Sequence, residues 1–347
     1  LNGDFSQEGS ELIVNGDFAT DSDWTKGTGW SIGNDKATID GSGGNISNLF
    51  QTIGVLPSKS YKISFSVSDL NAGDFRVSVG GQQYSAFSNA NGDYVYYITT
   101  GATGTGVNTT FYLQGVNSAE FSVSNITVKE VGQNWSLTGT GWSIGNDKAL
   151  NNGGSGDLIQ TITGLPDNKQ YKISFDISDY ASGTLGFRFV GNTAVAIINT
   201  NGTQTIYSSS TTDDRIAFYS NAFDGSISNI TVEEVGQEWT LSDGCSITAQ
   251  GARITSDGTN QFIQQTNALV VGDTYEMEYE ITESVSGSVV INNLEGVVLK
   301  NTVGVHKFYG VASGTAISIK RSGVTDVTID NIKIKRLNGD DTPRIDY

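Results

Sequence analysis

The chain has 347 residues, of which 43 are Gly and only 3 are Pro, with 37 Asp and Glu against 20 Lys and Arg and a formal net charge of −17. That acidity makes nucleic acid a poor partner and disfavours anionic membrane surfaces, and no run approaches the roughly 18 apolar residues of a membrane span. A single histidine, His306, and a single cysteine, Cys245, exclude an internal disulfide, a zinc cluster and any repeated histidine-based catalytic array.

In chain order, a lead-in of residues 1–10 precedes Leu12-Ile-Val-Asn-Gly-Asp-Phe18, an apolar opening strand. Trp24 follows, then Trp30-Ser-Ile-Gly-Asn-Asp-Lys-Ala37, then Gln51-Thr-Ile53 and a turn stopped by Pro57. Tyr61, Ile63, Phe65 and Val67 alternate with Lys62, Ser64, Ser66 and Ser68, the period of a half-buried strand. Tyr94-Val-Tyr-Tyr97 and Phe111-Tyr-Leu-Gln114 read as further strands, with Gly101-Ala-Thr-Gly-Thr-Gly106 as a hairpin loop between them. That loop lacks the Lys and following helix of a phosphate-binding loop. Phe121, Val123, Ile126 and Val128 form a closing strand whose change of phase predicts a bulge near Ser124-Asn125.

The blocks then return in the same order. Trp142–Ala149 repeats Trp30–Ala37 letter for letter, Tyr171–Asp179 repeats Tyr61–Asp69, and Ser228–Gln237 repeats Ser124–Gln133. Tyr275–Glu283 and Asp330–Lys335 are weaker third copies. A unit of roughly 100–115 residues is a domain rather than a solenoid turn. The chain therefore reads as all-β, with three tandem antiparallel β-sandwich modules of jelly-roll type at 11–132, 133–236 and 237–336, and an extension at 337–347. The seams at Val131–Trp135 and Val235–Trp239 are too short for a flexible tether.

The ordered series Asn15-Gly-Asp-Phe18, Gly29-Trp30, Gln51-Thr, Tyr61-Lys-Ile-Ser-Phe65 and Ser124-Asn-Ile-Thr-Val128 resembles the jelly-roll carbohydrate-binding modules of families four and nine. The resemblance covers most of the first module, the second without its opening strand, and the third in outline. It implies glycan binding on a non-catalytic sandwich, or service as a spacer or adhesion domain. Such modules often hold a structural calcium. Here Ala19 stands where an acidic ligand is common, and Ser124 and Ser228 where Asp is favoured; only Asp330 fits. No cofactor is required, and a structural calcium is the one ion the resemblance allows. Separately, Asp341-Thr-Pro-Arg-Ile-Asp-Tyr347 resembles a segment common in bacteriophage tail-fibre and other virion proteins, which implies a chain continuing past Tyr347.

Catalysis finds no footing in the residues. His306 lies on a strand with no nucleophile beside it, and Asp21/Asp23, Asp213/Asp214 and Asp340/Asp341 sit in turn contexts where Asp serves the local backbone. Sugars bind by stacking on exposed aromatic rings flanked by polar groups. Trp30, Trp142, Trp135 and Trp239 occupy repeat-equivalent places and are expected to pack in cores or seams. The candidates are instead Arg76, Tyr84, Tyr96, Tyr112 and Gln114 in the first module and Arg188, Tyr207 and Tyr219 in the second. If Phe111 and Leu113 face the core, Tyr112 and Gln114 face outward. The expected function is a non-enzymatic virion or extracellular surface protein, of phage-fibre type, that displays modules and attaches to host or environmental glycans. Other virion proteins and a homo-oligomer such as a trimer are the expected protein partners. The alternatives are the binding region of a secreted polysaccharide-degrading enzyme and a purely structural capsid decoration or fibre shaft.

Overall fold

The computed structural model describes residues 1–84, 86–102, 108–197, 199–294 and 297–337. The extension beyond Leu337, with Asp340/Asp341 and the virion-like segment, lies outside the described residues, as does most of the Gly101–Gly106 loop. The described residues contain no helix and form three antiparallel sheets, each folded over into a sandwich. The chain divides into two compact units, the first holding the first module and most of the second, and the second holding the third module with Lys169–Lys172 and Tyr207–Ser209.

The first module runs β1 (Glu8–Glu11), β2 (Thr25–Lys26), β3 (Trp30–Gly33), β4 (Lys36–Asp40), β5 (Ile46–Thr52), β6 (Ser60–Val79), β7 (Gln82–Gln83), β8 (Gly92–Thr99) and β9 (Thr110–Val131). β6 and β9 are long enough to pass through both layers. Phe111–Val116 of β9 pairs with β5 on one side and with Asp74–Val79 of β6 on the other. Farther along, β9 pairs with β4 and with the first half of β6, which in turn pairs with β8. One layer is thus β2-β5-β9-β6-β7 and the other β3-β4-β9-β6-β8, a jelly roll made by bending two strands.

The bends have identifiable causes. Asp69, Gly73, Asn117 and Ser118 all take positive φ, and a side chain at Gly73 would meet the Val116 carbonyl and the Ala119 backbone. Gly183 and Gly287 repeat this, facing the carbonyls of Ala222 and Val324. The bulge expected near Ser124-Asn125 is present: Ser64 pairs with Thr127 and Ser66 with Ser124, and Asn125 has a φ of 55°. Asn34 and Asp35, both at positive φ, close the β3–β4 hairpin as a two-residue turn, and Asn146-Asp147 does the same in the next module. Alternation then fills the core: Tyr61, Ile63, Phe65 and Val67 point in, with Phe75, Val77, Phe111, Leu113 and Phe121 from the bent strands.

The second module repeats this order as β10 (Trp135–Leu137), β11 (Trp142–Gly145), β12 (Lys148–Asn152), β13 (Gly156–Thr161), β14 (Gln170–Phe189), β15 (Val195–Ala196), β16 (Gly202–Ser209) and β17 (Arg215–Val235). It packs on the first: the Ile144 N–H donates to Ser60 Oγ at 2.9 Å, Lys59 Nζ donates to the Trp135 carbonyl at 3.2 Å, and Tyr97 lies against Gly145. The third comprises β18 (Thr240–Leu241), β19 (Cys245–Thr248), β20 (Gly251–Ser256), β21 (Phe262–Gln265), β22 (Thr274–Asn292), β23 (Gly304–Val311) and β24 (Ile317–Leu337), with its own core around Met277, Tyr279, Ile291 and Ile319.

The opening segment of the first module is a plug rather than a strand. The Gly16 carbonyl accepts from the Ile126 N–H at the bulge (2.9 Å), Trp24 Nε1–H donates to the Asn15 carbonyl (2.9 Å), and the Phe18 ring packs on Trp24 at 5.3 Å. Gln51 clamps the preceding residue, its side-chain amide bonding both the N–H and the carbonyl of Val14. Residues 2–5 of the lead-in do the same in the second module. The Gly3 carbonyl accepts from Ile230 N–H (2.9 Å), Trp135 Nε1–H donates to the Asn2 carbonyl (2.7 Å), and Phe5 packs on Trp135 at 5.2 Å. Phe5 and Phe18 share a φ of 57°. The second module's missing opening segment is therefore supplied by the chain's first residues. Their Asn-Gly-Asp-Phe repeats that of 15–18 letter for letter, and that identity is the signal by which the sequence could have revealed it.

Candidate ligand-binding face

The layer β2-β5-β9-β6-β7 has an outer side, and register fixes what it displays. With Phe111 and Leu113 fully buried, Tyr112 and Gln114 point outward. Asn48, Gln114 and Arg76 stand side by side on β5, β9 and β6, and Phe50, Tyr112 and Ser78 form the adjacent row. The first row is hydrogen-bonded across: Arg76 Nε donates to Gln114 Oε1 at 2.6 Å, and Gln114 Nε2 donates to Asn48 Oδ1 at 2.9 Å. The Arg76 guanidinium also lies over the Phe87 ring, 4.9 Å from its centre. In the second row the Phe50 and Tyr112 rings pack 5.2 Å apart. The result is a half-exposed strip of two aromatic rings beside an amide–amide–guanidinium line, fixed in place by its own bonds.

The second module builds the same face from different residues. Asp157 pairs with Tyr219 across β13 and β17, where the first module has Asn48 and Gln114. Arg188 on β14 donates to Asp157 Oδ2 at 2.6 Å and lies over the Tyr219 ring at 5.8 Å. Gly186 leaves the room that this ring needs. In the third module the matching places hold Phe262, Lys320 and Val290, so the face there carries one aromatic ring and no guanidinium.

The sequence candidates thus separate. Arg76, Tyr112 and Gln114 come together, and so do Arg188 and Tyr219. Asn48, Phe50, Phe87 and Asp157 complete the two faces. Their partners on neighbouring strands could be found only from register, which one strand's alternation does not give. Tyr96 does not join them. It is 8% exposed in the core between Phe65, Tyr94 and Tyr84, and its hydroxyl is tied to Ser88 at 2.7 Å. Burial raises its pKa above the ordinary phenol value. The reason is phase: on β8, Tyr96 pairs with Ile63, an inward residue, and must share its face. Tyr84 stacks on Tyr96 at 4.1 Å. Tyr207 is half-buried on β16, a strand that pairs with β14.

The groups with chemical potential elsewhere are engaged. His306 Nε2 lies 2.6 Å from the Thr302 carbonyl, and Cys245 is buried against Ser242 and the Phe262 carbonyl. Asp23 accepts from Ser22 Oγ, and Asp213 is held below the usual carboxylate range by its hydrogen bonds from Arg215. Trp30, Trp135 and Trp142 are buried, as their repeat positions imply, and Trp24 is buried too; Trp239, at an equivalent seam, is half-buried. Among the described residues no group of three or more His, Cys, Asp or Glu side chains could hold a metal ion.

No family model matches this chain, and no curated protein does. Among solved structures it is similar to the N-terminal CBM22-1–CBM22-2 tandem domain of Xyn10C from Paenibacillus barcinonensis, at 12% identity over 66% of this chain and 99% of that one, with a TM-score of 0.27. It is also similar to a triple jelly-roll protein of an archaeal virus turret, at 12% identity over 90% of each chain, with a TM-score of 0.23. The strand order and register carry the conclusion about fold: the chain is an all-β protein of three antiparallel, jelly-roll-like sandwiches in tandem.

Proposed function

We propose that this chain is a non-catalytic surface protein, of a virion or an extracellular assembly, that attaches to glycans through the outer faces of its first and second modules. The observation that carries this reading is the fixed strip of Phe50 and Tyr112 beside Asn48, Gln114 and Arg76, matched by Asp157, Tyr219 and Arg188 on the next repeat. Ring faces take the C–H side of a pyranose, and the amide and guanidinium groups take its hydroxyls. Strand-borne groups already bonded to one another lose little freedom on binding, which favours recognition by a shallow site. Two such faces on one chain raise the avidity for a polymeric or clustered glycan even where each is weak.

The test is a glycan-array screen of the chain beside Tyr112→Ala and Arg188→Ala variants whose far-UV circular dichroism matches the parent. The reading expects a defined set of glycans bound by the parent and a signal at least tenfold lower in the double variant. Binding unchanged by both substitutions would place the site elsewhere, and absence of binding at high protein concentration would favour a purely structural role.

A further inference from the structure

The third module has the same socket that the Asn-Gly-Asp-Phe plugs fill in the other two. Asn125-Ile126, Asn229-Ile230 and Asn331-Ile332 are equivalent, and all three asparagines sit at positive φ. Trp24, Trp135 and Trp239 are equivalent, as are Ala37, Ala149 and Ala252 beside them on β4, β12 and β20. Register with these tryptophans makes Gln265 the counterpart of the clamping Gln51. In the filled sockets Ile126 and Ile230 are 2% and 3% exposed and both alanines are fully buried. In the third module Ile332, Ala252 and Trp239 are all half-exposed. They line a groove of about 380 Å³ with Leu241, Ile247 and Ile263.

The polar fittings are also in place. Among the described residues the Trp239 indole N–H, the Gln265 side-chain amide and the Ile332 main-chain N–H have none of the partners that their counterparts find in a plug. We propose that this groove receives an Asn-Gly-Asp-Phe segment carried by a separate polypeptide. The glycine is required because a side chain at Gly3 or Gly16 would run into the isoleucine carbonyl, and the phenylalanine because its ring covers the tryptophan. Asn338-Gly-Asp-Asp341 of this chain has the first three residues but an acid where the ring belongs. Residues 1–347 hold two complete plugs, at 2–5 and 15–18, and both are seated. A second copy of residues 1–347 could serve only by emptying a socket of its own. The interaction is augmentation of a folded module by a short segment whose main chain and one anchor ring are both read.

The probe is a fluorescein-labelled peptide with the sequence of residues 12–19, titrated into the full chain and followed by anisotropy. The seated plugs are held by tethering in the first and second modules, so saturable binding of one peptide per chain is expected. Affinity should fall at least tenfold when the peptide's Phe is replaced by Ala. A similar loss is expected in an Ala252→Trp variant, which fills the groove, and a smaller one in Gln265→Ala, a half-exposed change that leaves the core intact. No saturation at millimolar peptide, or equal affinity for both variants and parent, would overturn the proposal. Self-association of the chain that disappears in Phe5→Ala would overturn the separate polypeptide as the source and assign the groove to a second copy.

Discussion

Replacing Phe5 by Ala should destabilise a module whose own strands begin some 130 residues later. Phe5 is 1% exposed and packs on Trp135, itself 1% exposed. Truncating a fully buried Phe to Ala costs about 3–5 kcal/mol, the transfer of the ring plus the cavity it leaves. A domain of this size holds only about 5–15 kcal/mol in total, so the loss is a large share of the second module's stability. The readout is native-state hydrogen exchange resolved by peptide. At about 1.4 kcal/mol per factor of ten, protection in the strands of residues 142–235 should fall by about two to three and a half powers of ten. The matched Phe18→Ala change should reduce protection in residues 30–131 instead. Unchanged exchange in 142–235 on Phe5→Ala, or a loss confined to the first module, would refute the assignment of residues 2–5 to the second.

Gly183→Ala places a methyl against the Ala222 carbonyl at a φ of +78°, so thermal unfolding should show a loss well above the about 1 kcal/mol of an unobstructed positive-φ site such as Gly164→Ala. Cys245 is buried, and desolvation pushes its thiol pKa up; a disulfide reagent at pH 8 should label it far more slowly in the native chain than in urea. The Glu8 carboxyl is held below its ordinary value by hydrogen bonds from Lys62 and then Lys129. A depressed carboxylate stabilises the fold above its unfolded pKa and loses that contribution as pH falls through the folded one. Glu8→Gln should therefore cost less than about 1 kcal/mol at pH 7, and the difference from the parent should vanish in acid denaturation profiles below the folded pKa.

Alternation in Tyr61–Val67 and the phase change at Asn125 were legible because each is a local pattern with a single physical meaning. The outward set of Tyr112 and Gln114 followed from the inward set of Phe111 and Leu113. Tyr96 was harder: Tyr94-Val-Tyr-Tyr97 has aromatic residues on both faces, and only its pairing with Ile63 decides which face is buried. The continuity of Ser60–Val79 and Thr110–Val131 as single bent strands was hidden, because the positive-φ residues that bend them look like turns in a sequence. Arg188 on β14 reaches Asp157 on β13 across the intervening β17, a diagonal contact that no spacing within either strand announces.

The proposed attachment requires the two strips to act together on one chain. Its most direct test is surface plasmon resonance on an immobilised glycan chosen from the array, comparing the parent with Tyr112→Ala, Arg188→Ala and the double variant. Avidity from two sites predicts that each single change weakens retention by at least tenfold and that the double change leaves no measurable binding. Retention by the double variant equal to that of the parent would contradict the account.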